Sequence, residues 1–67
     1  MKLTKREEQV MSLLATGMKT AQIANCMGIS ARTVDTHMTN IFNKLGVQTR
    51  SGALAIFMER TLVLRRA

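Results

Sequence analysis

Residues 29 to 47 read ISARTVDTHMTNIFNKLGV, and the polar side chains in this stretch suit recognition rather than bond-making. Arg32 supplies a planar fork of five donors, Asp35 a carboxylate that accepts, and Thr36 and Thr39 hydroxyls that do both. At helical spacing, positions 32, 35, 36 and 39 share one face and form a single strip of hydrogen-bonding groups. Ser30 and Thr33 add two hydroxyls where the stretch begins. His37 is the only histidine and Cys26 the only cysteine. No constellation of nucleophile and carboxylate accompanies His37, and one histidine does not make a metal site. The expectation is a non-enzyme with no cofactor, metal ligand or catalytic residue. His37 is read as a half-buried packing residue and Cys26 as a small buried hydrophobe.

The strip needs a helix to hold it, and the flanking residues supply one. Ser30 is a good cap, with Thr33 at the third helical position. Val34, Met38, Ile41, Phe42 and Leu45 then fall at i, i+4, i+7, i+8 and i+11, an apolar face opposite the polar strip. Gly46 can close the helix, giving a span of about 31–45. Upstream, Thr4 followed by Glu7 has the form of a capping box. It opens a helix over about 5–16 whose apolar face is Val10, Met11, Leu13 and Leu14. Ile23, Ala24 and Met27 give a short helix over about 20–27, ending at Gly28. Thr49 can cap a fourth helix over about 50–60 carrying Leu54, Ile56, Phe57 and Met58, and the tail RTLVLRRA can extend it or fray. The apolar residues of that helix cover more than one stripe, which leaves a face for a partner. The expected fold is all-α: one compact four-helix domain spanning residues 1–67.

Only Gly28, Ile29 and Ser30 separate the second and third helices. A short glycine-containing turn before a longer capped helix is the mark of a helix-turn-helix. Ala24 is small enough for the two helices to cross closely, and Ile23, Met27, Ile29 and Val34 fill the angle between them. In such a motif the second helix enters the major groove of DNA, with its N-terminal half against the bases. Arg32, Asp35, Thr36 and Thr39 then face base edges. Ser30, Thr33, Lys19, Lys44 and Arg50 flank them as phosphate partners. Ten Lys and Arg against four Asp and Glu, a net charge of +6, suit a polyanionic partner. No apolar run approaches the roughly 20 residues needed to span a bilayer. MKLTKREEQ is too charged for a signal peptide, so the expected location is the cytoplasm, on the nucleoid.

Taken together, LTKREEQVMSLLATGMKTAQIA and ISARTVDTHMTNIFNKLGVQTRSGAL resemble the LuxR/GerE-type (NarL/FixJ-type) DNA-binding domain of bacterial regulators, over residues 3 to about 58. The distinctive parts are LTKRE, IA, IS..TV..H..NI..KLGV and R..AL. The resemblance implies a four-helix domain that binds double-stranded DNA as a homodimer. Asp35, Thr36 and Thr39 occupy positions that read bases in that family. Thr33, Lys44 and Arg50 stand where it holds the backbone or supports the recognition helix. Leu54, Phe57 and Met58 fall on the helix that pairs with its twin. RNA polymerase or another LuxR-type regulator are further partners of such a domain. With no receiver or ligand-binding domain, the chain reads as an effector domain, either a whole small regulator or part of a longer one.

Two residues depart from that family pattern. The family tends to have serine where Lys19 stands, a change that costs about 0.5–2 kcal/mol of capping but adds charge near the DNA backbone. It commonly has lysine where this chain has Asp35, and often a second basic residue near Thr39. Asp35 can accept from a cytosine N4 amine, can pair with Arg32 three residues earlier, or can mark a helix that no longer reads DNA. In the last case the chain would be an interaction module that pairs with another LuxR-type regulator through its fourth helix. The basic flanks and phosphate-facing hydroxyls favour the first two. Sigma-factor region 4 shares LT.RE and a helix-turn-helix, but NIFNKLGVQTR and the helix after it do not fit.

Overall fold

Thr4 starts the first helix by the two-way exchange its spacing predicts. Its hydroxyl accepts from the Glu7 N–H at 3.1 Å, and the Glu7 carboxylate accepts from the Thr4 N–H at 2.8 Å. The structure is a computed structural model describing residues 2–66, with side chains to residue 60. Helix α1 is Lys5–Ala15, α2 Thr20–Met27, α3 Ala31–Leu45 and α4 Arg50–Arg66. The fold is all-α among the described residues. The expected bounds of α2 and α3 agree with the structure, and α1 stops one residue short of the expected 16. Helix α4 continues past 60, as RTLVLRR contains no proline or glycine to stop it.

Capping explains where each helix begins. The Ser30 hydroxyl accepts from the Thr33 N–H at 3.1 Å, and the Thr49 hydroxyl from the Gly52 N–H at 3.0 Å. Lys19 precedes α2 without a side-chain acceptor of its own. Gln22 answers from the other side: its amide oxygen accepts from the Lys19 N–H at 2.9 Å. An ammonium has no lone pair to return the bond, so this cap is one-sided. Gly28 and Gly46 end α2 and α3 with φ of +68° and +69°. Each places an amide onto a late carbonyl of its helix, a left-handed turn in which a side chain would be strained.

The core lies where the apolar stripes of α1, α2 and α3 meet. Val10, Met11, Ile23, Val34 and Ile41 are its largest fully buried side chains, with Leu3, Leu14, Ala24, Met38 and Ala53 completing it. Met27 and Ile29 pack half-buried against this core and fill the angle between α2 and α3, as their spacing predicts. Ala24 is 5% exposed, in keeping with a close crossing at that point. Cys26 corrects its expectation: it is exposed rather than buried, because the inward face of α2 belongs to Ile23 and Ala24 and Cys26 follows two residues later. Among the described residues no helix is long and apolar enough to cross a membrane.

Candidate nucleic-acid interface

Because Val34, Met38 and Ile41 are buried, the rest of the α3 circumference is fixed by helical geometry. Arg32, Asp35, Thr36 and Thr39 are all exposed on the side away from them, and His37 is half-buried at the edge. The four strip residues are thus brought together on one surface. The Arg32 guanidinium makes no bond with another described residue, so no ion pair links it to Asp35; their (i, i+3) pairing does not form in this state. Both strip hydroxyls are engaged. Thr36 Oγ1 donates to the Arg32 carbonyl and Thr39 Oγ1 to the Asp35 carbonyl, each at 3.1 Å.

The start of α3 is built differently. Ser30 Oγ and Thr33 Oγ1 lie 2.9 Å apart and one donates to the other, which leaves one hydroxyl proton of the pair uncommitted. The amides of the first helical turn lack partners within the helix and carry the positive end of its dipole. A free hydroxyl donor beside such amides suits an anion.

Of the flanking cations, Arg50 and Lys19 converge on the start of α2. The Arg50 guanidinium donates to the Thr20 hydroxyl, joining the first turn of α4 to that of α2, and Lys19 is exposed beside it. Lys44 is placed otherwise. Its ammonium donates to Glu7 Oε1 at 2.6 Å, and Glu7 is only 3% exposed. Burial raises the Glu7 carboxyl, but the Lys44 ammonium and the Thr4 amide outweigh it and hold the group below the ordinary glutamate value. Lys44 thereby fastens the far end of α3 to the start of α1 and keeps two ammonium protons for another acceptor.

Glu7 is the residue whose second task sequence reading missed. The signal was there: positions 7, 10, 11 and 14 share one helical face, so a carboxylate at 7 must be buried with a partner. On α4, Leu54 and Phe57 pack half-buried against the core, while Met58 is the large apolar side chain left exposed among the described residues, at 48%. Asp, Glu, His and Cys side chains form no group of three able to hold a metal among those residues.

Residues 1–57 match the family model described as GerE, bacterial regulatory proteins, luxR family. The chain is similar to the transcriptional regulatory protein YdfI of Bacillus subtilis, 39% identical over 91% of this chain and 29% of that protein. It is also similar to the probable transcriptional regulatory protein SgaR of Hyphomicrobium methylovorum, 44% identical over 81% of this chain and 26% of the relative. With the HTH-type transcriptional regulator MalT of Yersinia pestis it shares 44% identity over 78% of this chain and 6% of that one. Among solved structures it resembles ChrA, a response regulator of a heme-sensing two-component system, with a TM-score of 0.86 and 34% identity over 92% of this chain and 31% of that one. The chain therefore spans less than a third of the length of each of these relatives.

Proposed function

The chain belongs to the luxR family of bacterial regulatory proteins, and from that premise we infer a sequence-reading DNA-binding module of a transcriptional regulator, with α3 in the major groove. The observation that carries this is the exposed strip of Arg32, Asp35, Thr36 and Thr39 on a helix whose other face is locked into the core. A helix read by bases must be held rigidly while its outward side chains stay unburied. Burial of Val34, Met38 and Ile41 and the anchoring of Lys44 to Glu7 meet the first condition. Exposure of the strip meets the second.

Arg32, Asp35, Thr36 and Thr39 are the base-reading set. The spare hydroxyl proton of Ser30 and Thr33, the first amides of α3, and Lys19 and Arg50 take phosphates. Lys44 contributes mainly by holding α3, with its two remaining protons available to the backbone. The module works as a homodimer on an inverted repeat, with Met58 the outward contact on α4 and Leu54 and Phe57 supporting it from below. Pairing also adds burial to a small core. Such a function involves no catalytic step and belongs in the cytoplasm, where DNA is.

Selection from a random duplex library, followed by titration at two salt concentrations, tests this. The expected result is a repeated half-site with centres about one helical turn apart. Affinity should fall with salt at a slope of about 0.9 per neutralised phosphate. Recovery of no preferred sequence, with weak binding that salt abolishes equally on all duplexes, would overturn it and turn attention to a partner protein.

A further inference from the structure

The two threonines of the reading strip have already spent their protons. A backbone carbonyl can only accept, so the 3.1 Å contacts from Thr36 Oγ1 to the Arg32 carbonyl and from Thr39 Oγ1 to the Asp35 carbonyl make each hydroxyl the donor. What remains on each exposed oxygen is lone pairs. Asp35, beside them on the same strip and free of any ion pair with Arg32, is an acceptor as well. Three neighbouring side chains therefore present acceptors only, while the donors lie toward the start of α3, in Arg32 and the spare proton of Ser30 and Thr33.

We propose that, on the strand it contacts, this part of α3 selects a base presenting an exocyclic amine to the major groove, cytosine N4 or adenine N6, and so fixes the orientation of each base pair it reads. In that groove guanine offers only acceptors, N7 and O6, and thymine an acceptor and a methyl group. Set against the acceptor side chains, guanine would place lone pair against lone pair unless a hydroxyl first abandoned its carbonyl. An amine loses nothing by binding, because Thr36 and Thr39 accept from it while keeping their bonds to the helix. The selectivity thus comes from the helix backbone, which fixes the polarity of side chains able in principle to play either part. It deepens the DNA-binding function proposed above and rests on it.

The test starts from the site that library selection yields and uses the unmodified chain. Each adenine is replaced singly by purine deoxyriboside, and each cytosine by the 2-pyrimidinone deoxyriboside, so that only the amine is lost. Selection is repeated with Thr36→Val, Thr39→Val and Asp35→Asn to find the positions each residue reads. Valine keeps the shape of threonine without its oxygen. Each pair so assigned carries one amine, on its adenine or its cytosine, and the expected result is that removing it costs roughly tenfold in affinity at one or more of them. With the matching variant the same deletion should cost less than about twofold more, a cycle that cancels any weakening of the duplex itself. Amine deletions that matter at none of the assigned positions would overturn the proposal while a recovered site left DNA reading intact. Recovery of no site would remove the function and the inference together. If a valine variant does not fold, the amine scan on the unmodified chain still decides.

Discussion

The ammonium of Lys44 lies 2.6 Å from the buried carboxylate of Glu7, a bond across 37 positions of chain. That carboxylate is also the acceptor that caps the Thr4 amide at the start of α1. One side chain thus closes a helix end and pins the last turn of α3. The exposed polar strip toward the other end of α3 is held at a fixed angle to the rest of the fold by this bond and by the apolar face between.

Lys44→Met should destabilise the fold by about 1–3 kcal/mol, because it strands a carboxylate that is out of water. At about 4–8 °C per kcal/mol for a domain this small, thermal unfolding followed by circular dichroism would register the loss easily. Glu7→Gln should cost less. An amide oxygen can still accept from Thr4, and Lys44, a quarter exposed, can turn to water. Equal melting temperatures for Lys44→Met and the unaltered chain would show that the ion pair contributes nothing.

The same pair sets an acid limit. The Glu7 carboxyl titrates below its ordinary value when folded, so at intermediate pH the unfolded chain binds more protons and stability rises with pH there. The contribution is complete above about 4.5, the unfolded value, and is lost as pH falls through the folded value. Urea midpoints measured from neutrality down to pH 3 should fall steeply below that point. In Glu7→Gln the fall should be shallower, and an unchanged slope would remove Glu7 as its source.

Gly28 sits in the turn of the helix-turn-helix at φ +68°, and an added Cβ there would meet nothing within 4 Å. The cost of Gly28→Ala is therefore backbone strain alone, about 1–2 kcal/mol. Gly28→Asn should cost less, since asparagine tolerates this conformation better. Urea denaturation compares the two directly, and an alanine variant as stable as the glycine would show that the turn adjusts.

Most of the fold was legible because its signals are local. The Thr4 and Ser30 caps and the stripe from Val34 to Leu45 each involve residues within one helix, and all appear where their spacing puts them. The strip of Arg32, Asp35, Thr36 and Thr39 was equally legible, since knowing the buried face fixes the exposed one. Periodicity could show that Glu7 is buried and needs a partner, but not which residues bond between helices. The union of Lys44 with Glu7 and of Arg50 with Thr20 depends on how α1, α2, α3 and α4 are stacked, and no periodicity encodes that. Cys26 was misjudged for a related reason: residue type suggests burial, but register in α2 turns it outward.

Asp35 stands in a chain of net charge +6 within the strip proposed to face the bases, so its removal separates two effects. A carboxylate repels phosphates and lowers affinity for every sequence alike, whereas an acceptor for an amine raises affinity for particular ones. Asp35→Lys reverses both. Non-specific binding should tighten and its salt slope steepen, because one more phosphate is neutralised. At the position Asp35 reads, preference should move from an amine-bearing base toward guanine, with a penalty of about 1–3 kcal/mol on the original site. Competition titrations of the original and the reselected duplex against random DNA resolve the two. Uniform tightening with an unchanged site preference would mean that Asp35 only tempers the field of its neighbours, leaving Thr36, Thr39 and Arg32 to do the reading.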